Sequence, residues 1–549
     1  MILRRLYLYL VSAAALVVLA TGLVLLGGTI LLFALNDPTA ETSRGQLAIF
    51  TAMTVVALPV WGIHFWFAQR FASRDPYERA SALRRLYLYW ACLVGSIAAM
   101  IAVTALVVQL LQPVLDDLPL NTLSASQIGW AALVFAAVWG FHFFIAWRDR
   151  TTAGEEGRSS TLRRWYMYIA LLVGLLTLLG GTASLLQIAW TRLALDSSER
   201  FYSLAGPAGM AVGGLVLWGV HARVIAIKHI SEDRHSTLRA LEGFIVVAFC
   251  IGSALYGATQ ILYYALARGL GVSNPGNAGT NLMAALANPG SLLLVYGIAW
   301  VLIRRRLARD AGTQEADRQA AIRRLYTNLA SLISLAAWAY GAFGLLATLA
   351  KLAEAPIIGV AAPDWKDPLS LSVTLLIVGA AVWVAHWRHS PWAADRQSLS
   401  RKLYVWAALL GSVLAVLAGG VGIVNAVLQQ TFSAHPRLDD PANLDFAQYL
   451  ALIVVAVGVG VYHWIVLRGD AAARPPKPAT APAIAKVAVI AAPAATEPAQ
   501  ATEALEPHGR RYTLIVTDAT EDDVHSALAS LPPQASYKLT PTEQAVDGH

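Results

Sequence analysis

Cysteine is nearly absent from this chain of 549 residues: there are two, Cys92 and Cys250, both inside apolar runs and not in a C-x-x-C pair. That excludes a disulfide scaffold, a thiol redox motif and a cysteine zinc site. Charge is scarce as well. Asp, Glu, Lys and Arg together make up 14% of the residues, against about 25% in a soluble domain. A soluble enzyme and a disordered tail protein are excluded on that ground. The chain also lacks a P-loop, an H-E-x-x-H pair, a G-x-S-x-G elbow and a convincing dinucleotide fingerprint, so enzyme activity has no positive support. No acidic or basic residue sits clearly at the middle of an apolar run, where coupled ion transporters usually keep one.

Apolar sequence fills the rest. Hydrophobic residues reach 57% and mean hydropathy is +0.55. These values indicate a polytopic, all-α membrane protein whose principal partner is the lipid bilayer. The net charge of +7 lies mostly in short loops between apolar runs. There it sets topology and attracts anionic headgroups, and no nucleic acid partner is expected.

The chain repeats itself. Leu3-Arg4-Arg5-Leu6-Tyr7-Leu8-Tyr9 returns as Leu83-Arg84-Arg85-Leu86-Tyr87-Leu88-Tyr89 and as Leu162-Arg163-Arg164-Trp165-Tyr166-Met167-Tyr168. Shorter copies are Ile322-Arg323-Arg324-Leu325-Tyr326 and Arg401-Lys402-Leu403-Tyr404, and Leu238-Arg239-Ala240-Leu241-Glu242 is degenerate. The first basic residues fall at 4, 84, 163, 239, 323 and 401, which gives six units of about 80 residues. Each unit carries two apolar runs near or above the ~20 residues that cross about 30 Å of hydrocarbon. In the first unit they are 6–34 and 47–68, in the last 403–429 and 446–467. The expectation is about twelve transmembrane helices arranged as six parallel helical hairpins: 1–80, 81–159, 160–235, 236–319 (degenerate), 320–397 and 398–470. Pro289-Gly290 interrupts the second run of the fourth unit. Met1 to Gly28 reads as the first span and not as a cleaved signal, because its apolar run exceeds the ~7–15 residues of a signal core.

Connectors between units, such as Arg70 to Arg85 and Arg304 to Arg324, are rich in arginine, whereas the loops inside the hairpins are acidic, as at Asp116-Asp117 and Asp439-Asp440. Positive loops stay inside, so the N- and C-termini and the inter-unit loops are expected in the cytoplasm of a bacterial inner (plasma) membrane. Every unit then enters in the same sense. Residues 471–508, rich in Ala and Pro, read as a flexible linker. Residues 509–549 read as a small cytoplasmic tail module, either weakly ordered or a docking element for a membrane or cytoplasmic protein partner.

The second run of five units ends in an aromatic-histidine pattern: Trp61-Gly62-Ile63-His64, Trp139-Gly140-Phe141-His142, Trp218-Gly219-Val220-His221, Trp383-Val384-Ala385-His386 and Gly460-Val461-Tyr462-His463. The fourth unit has Ala299 there, and Glu242 at the tyrosine position. His64 lies six residues before Arg70, about 9 Å along a helix, and Tyr7 lies three residues after Arg4. Tyrosine and imidazole therefore reach similar depth near the inner end. Five structural pairs are expected: Tyr7 with His64, Tyr87 with His142, Tyr166 with His221, Tyr326 with His386 and Tyr404 with His463. The competing reading makes the same histidines ligands of haem or a chlorin, without a paired H-x(12–14)-H spacing on one helix to support it. No metal or cofactor is assigned. A second recurrence places Thr29, Gln109, Gln187, Thr348 and Asn425 toward the outer end of the first helix. It reads either as interhelical hydrogen bonding or as the lining of a pore.

The L-R-R-L-Y-x-Y opening followed by a Gly/Ala/Leu-rich span resembles an uncharacterised bacterial membrane family, domain of unknown function 5671, with Chloroflexi-type repeats. The resemblance covers residues 1–468 and is best in the first three units; the opening of the fourth departs most. It implies a membrane-embedded helical domain and brings no catalytic residues. The leading expectation is a non-enzymatic membrane scaffold or accessory subunit. A transporter or channel with a polar path between hairpins, and a haem- or pigment-binding subunit, are the alternatives.

Overall fold

A backbone in hydrocarbon must pair its own N–H and C=O groups, so each long apolar run becomes a helix. The computed structural model describes residues 2–155, 157–195, 203–228, 233–234, 236–311, 317–387, 396–432 and 445–472. Twelve of its helices are long and apolar enough to cross a membrane, and no strand occurs among the described residues. The protein is a multi-pass, all-α membrane protein. In chain order the helices are α1 (Ile2–Ala34), α2 (Arg44–Arg74), α3 (Ala82–Leu115), α4 (Thr122–Ala153), α5 (Arg158–Ala194), α6 (Ala205–Lys228), α7 (Thr237–Gly269), α8 (Leu282–Ala311), α9 (Asp317–Ile358), α10 (Lys366–Trp387), α11 (Leu399–Phe432) and α12 (Asp445–Ala472). The chain divides into a unit over 1–471 and a second over 472–549. The expected linker, the tail module and the Asp439-Asp440 loop lie outside the described residues.

Several helices are longer than the apolar runs that nucleate them. The arginine motif is itself helical, so α1 starts at Ile2 and α3 at Ala82. Local caps set the boundaries. The Asn121 side chain accepts from the Ser124 N–H at 2.9 Å and starts α4. Ser236 does the same for α7, accepting from the Arg239 N–H at 3.2 Å. Gly154, at φ +70°, ends α4 in a conformation that disfavours other residues. The apolar run that Pro289-Gly290 interrupts forms one continuous helix. The α8 helix runs through Pro289, and the Pro289 carbonyl approaches α7 so closely that a Cβ on Gly257 would stand 2.4 Å from it.

Consecutive helices pack as pairs, α1 with α2 through α9 with α10. Successive pairs interlock by one rule: the first helix of a pair packs on the second helix of the next. The contacts are α1 with α4, α3 with α6, α5 with α8 and α7 with α10. Lipid tails are as apolar as leucine, so this packing relies on close fit and not on hydrophobic transfer. The fit has a register. The residue eleven positions after each anchor arginine is Ala15, Gly95, Gly174, Cys250, Ser334 or Ser412, small in every case and always buried. At this level the two helices of a pair touch. A Cβ on Gly174 would lie 2.6 Å from the Trp218 nitrogen, and one on Gly95 would lie 3.1 Å from the Trp139 nitrogen.

Gly174→Val should therefore lower the detergent-solubilised melting temperature, with overpacking costing about 1–3 kcal/mol. Gly140→Ala, whose new methyl meets nothing within 4 Å, should leave it unchanged. Equal melting of the two variants would remove the crossing-point argument.

Candidate functional site

The aromatic and imidazole side chains gather at the arginine-rich ends of the helices. In four pairs the tyrosine hydroxyl meets the Nε2 of its histidine: Tyr7 with His64 at 3.2 Å, Tyr87 with His142 at 3.1 Å, Tyr166 with His221 at 2.8 Å and Tyr404 with His463 at 2.8 Å. The fifth pair differs. Tyr326 and His386 meet edge to face with ring centroids 5.9 Å apart, and no hydrogen bond joins them among the described residues.

The other ring nitrogen determines the tautomer. In all five histidines Nδ1 lies 2.7–2.9 Å from the carbonyl oxygen four residues earlier: Val60, Val138, Leu217, Val382 and Val459. A carbonyl only accepts, so Nδ1 carries the proton. Nε2 is then an acceptor, and the tyrosine hydroxyl donates to it. The phenolic oxygen is left to accept, and in three units a tryptophan of the preceding pair fills that role. The Trp61 indole N–H donates to Tyr87 at 3.0 Å, Trp139 to Tyr166 at 2.8 Å and Trp383 to Tyr404 at 2.9 Å. The result is a chain of Trp N–H, Tyr O–H, imidazole and backbone carbonyl that runs from one helix pair into the next. His142, His221 and His463 are buried within these chains. In the Tyr7–His64 pair the tyrosine is exposed and the histidine half-buried.

Below the imidazoles lies a layer of ion pairs that the sequence reading did not anticipate. Each anchor arginine with a described partner meets an acid in the last turns of the second helix of its own pair or just beyond it. The pairs are Arg4 with Glu78 (2.5 Å), Arg84 with Asp149 (2.6 Å), Arg163 with Asp233 (3.0 Å), Arg239 with Asp310 (2.7 Å) and Arg401 with Asp470 (2.6 Å). Arg84 and Arg85 are fully buried. Arg84 also reaches back to the Gln69 side chain at 2.9 Å, and Arg85 donates to the Ala146 and Gly154 carbonyls at the end of α4. The second tyrosine of the motif enters the same layer, and in the first two units it links neighbouring pairs. Tyr9 accepts from Arg84, Tyr89 donates to Glu155, which Arg163 also holds, and Tyr168 donates to Asp233. One signal was available in the sequence. His142 to Asp149 and His463 to Asp470 are both spaced by seven residues, two helical turns on one face.

The fourth pair replaces the tyrosine–imidazole bond with charge: Glu242 accepts from Arg306 of α8, and Ala299 stands where the histidine would be. The recurring outer polar residues are not brought together. Thr29 and Thr348 bond carbonyls of their own helices, Gln187 bonds Asn288, and Asn425 is exposed. Gln109 is the exception: its buried Oε1 has no hydrogen-bond partner among the described residues. No group of three or more His, Cys, Asp or Glu placed to hold a metal occurs among the described residues.

Asp233 lies outside the spans. Burial pushes its carboxyl up, but hydrogen bonds from Arg163 and Arg164 and their positive charge outweigh burial and hold it below the usual carboxylate range. A carboxyl whose folded pKa is depressed stabilises the fold above its unfolded value and loses that contribution as pH falls through the folded one. Stability should therefore decline as pH drops below about 3.9, and Asp233→Asn should flatten the decline, read by thermal unfolding across a pH series. For the aromatic chain, Tyr87→Phe and His142→Ala should couple by about 0.6 kcal/mol in a double-mutant cycle. Additive effects would show that the 3.1 Å contact contributes nothing.

No curated protein and no solved structure matches the chain. The model of one family matches residues 5–132, 123–197 and 324–458. Those stretches take in the five motif tyrosines with His64, His142 and His386, whereas His463 and the segment 198–323, which holds His221 and the substituted fourth pair, lie outside the match. The chain belongs to the family described as Domain of unknown function (DUF5671).

Proposed function

We propose that this protein is a non-enzymatic scaffold or accessory subunit of a bacterial inner membrane. In this reading both ends of the chain are cytoplasmic and residues 509–549 dock a membrane or cytoplasmic protein partner. One observation carries the reading. Four of the five imidazoles, the residues best suited to ligand or proton chemistry, have both nitrogens engaged, Nδ1 by a carbonyl of their own helix and Nε2 by the tyrosine of their own pair. At those four an axial ligand to haem or a chlorin would require Nε2 to leave its tyrosine, which argues against a pigment-binding subunit. The clustering of arginines at one end of the helices supports the cytoplasmic assignment through the positive-inside rule.

Transport is the second reading, favoured by the buried Oε1 of Gln109, which has no hydrogen-bond partner among the described residues. The scattered environments of Thr29, Gln187, Thr348 and Asn425 weigh against it, because a conduction path needs a continuous polar lining.

The purified protein should show no Soret or chlorin band. Proteoliposomes should pass ions and small solutes no faster than empty vesicles. Mild-detergent purification read by mass spectrometry should recover a reproducible partner that is lost when residues 509–549 are deleted. Solute flux abolished by Gln109→Leu would replace the scaffold reading with transport.

A further inference from the structure

Where the fifth and sixth helix pairs meet, α9, α11 and α12 do not close on one another. They enclose a cavity of about 280 Å³ lined by side chains such as Leu332, Leu335, Ala408, Gly411, Val455 and Val459. A second cavity, also about 280 Å³, continues along α9 toward the end away from the arginine layer. Its walls include Thr348, Lys351, Asp364 and Gln448. Tyr340 and Phe343 line both, so the two are adjoining chambers of contrasting polarity.

The chemistry of the pair is that of an amphiphile. The first chamber has almost no polar surface, and an apolar cavity stays dry. Left empty, it would forfeit packing contacts on every wall. In a membrane the available apolar filler is an acyl chain. The second chamber presents one cation and one anion, Lys351 and Asp364. Its opposite charges match a phosphate and an amine better than a purely anionic headgroup, which would face Asp364 with like charge. Leu332 to Lys351 spans nineteen helical residues, about 28 Å, long enough to take one leaflet's acyl chain and headgroup, about 20–22 Å.

We propose that this two-chamber cavity is a binding site for one phospholipid with a zwitterionic headgroup. Its acyl chain lies between α9, α11 and α12, its phosphate faces Lys351 and its amine faces Asp364. The site is independent of the scaffold reading, since it uses neither the tyrosine–histidine chains nor the tail.

The test uses the full chain, stripped of lipid in detergent and offered phosphatidylethanolamine or phosphatidylglycerol with identical acyl chains, read by native mass spectrometry. One phosphatidylethanolamine per chain should be retained, at least tenfold more tightly than phosphatidylglycerol. Gly411→Phe should abolish retention by filling the apolar chamber, where a Cβ on Gly411 meets nothing within 4 Å. Lys351→Gln should weaken retention about tenfold, and Asp364→Asn should narrow the preference between the two lipids. If Gly411→Phe does not fold, the two polar variants decide alone. Retention unchanged in the variants that fold, equal retention of both lipids, or recovery only of an amphiphile without phosphate would overturn the proposal.

Discussion

A polar side chain placed in hydrocarbon has no water to turn to, so its partner must be protein. That constraint organises this molecule. Each unit carries an arginine and, in five of six, a tyrosine and a histidine at the arginine-rich end of its helix pair. Every described anchor ion pair and the Trp–Tyr–His chains follow from the need to pair them. Because a tyrosine hydroxyl has both a proton to give and lone pairs to receive, it can bond the imidazole of its own pair and the indole of the preceding one at the same time. The same residue therefore closes a hairpin and joins it to its neighbour. In a membrane, where apolar contacts discriminate poorly between right and wrong rotations of a helix, such bonds contribute more to register than to raw stability.

The fourth and fifth pairs show what happens when the pattern loosens. Glu242 and Ala299 change together, and Arg306 supplies the charge that Glu242 then needs. A buried pair of opposite charges satisfies the same requirement as a hydroxyl and an imidazole, at a larger desolvation cost. In the fifth pair Tyr326 and His386 keep ring contact only, and the Tyr326 ring lies against Phe244 of α7. The family match omits 198–323, the segment in which the tyrosine–histidine chain is interrupted. The regular interlock is strongest from α1 to α8, and the α9, α11 and α12 junction is where a cavity opens.

Small residues complement the polar bonds. At the helix crossings Gly95 and Gly174 bring the backbone of the partner helix within contact distance at Trp139 and Trp218. At Gly95 the crossing thus positions Trp139, whose indole reaches Tyr166 of the next pair. A wider crossing would carry Trp139 away from Tyr166, so backbone packing and side-chain bonding are coupled through a single residue.

Much of the architecture was legible in the residues themselves. Apolar run length set the number of helices, because only a self-paired backbone survives in lipid. The recurrence of Arg, Tyr and His marked which side chains share a depth, because helical rise converts spacing into distance. The pairing of Glu78, Asp149, Asp233, Asp310 and Asp470 was not legible: acids scattered through basic connectors look like solvated loop charge until the helix ends converge on them. Nor could spacing reveal that Trp61 serves Tyr87 rather than Tyr7, since the choice depends on how one pair stacks against the next. Local sequence, acting through backbone hydrogen bonding and periodicity, determined the helices, their ends and the depth of each polar group. Tertiary structure alone decided which neighbour each group bonds, because a hydrogen bond between helices exists only at the crossing angle and separation that packing imposes.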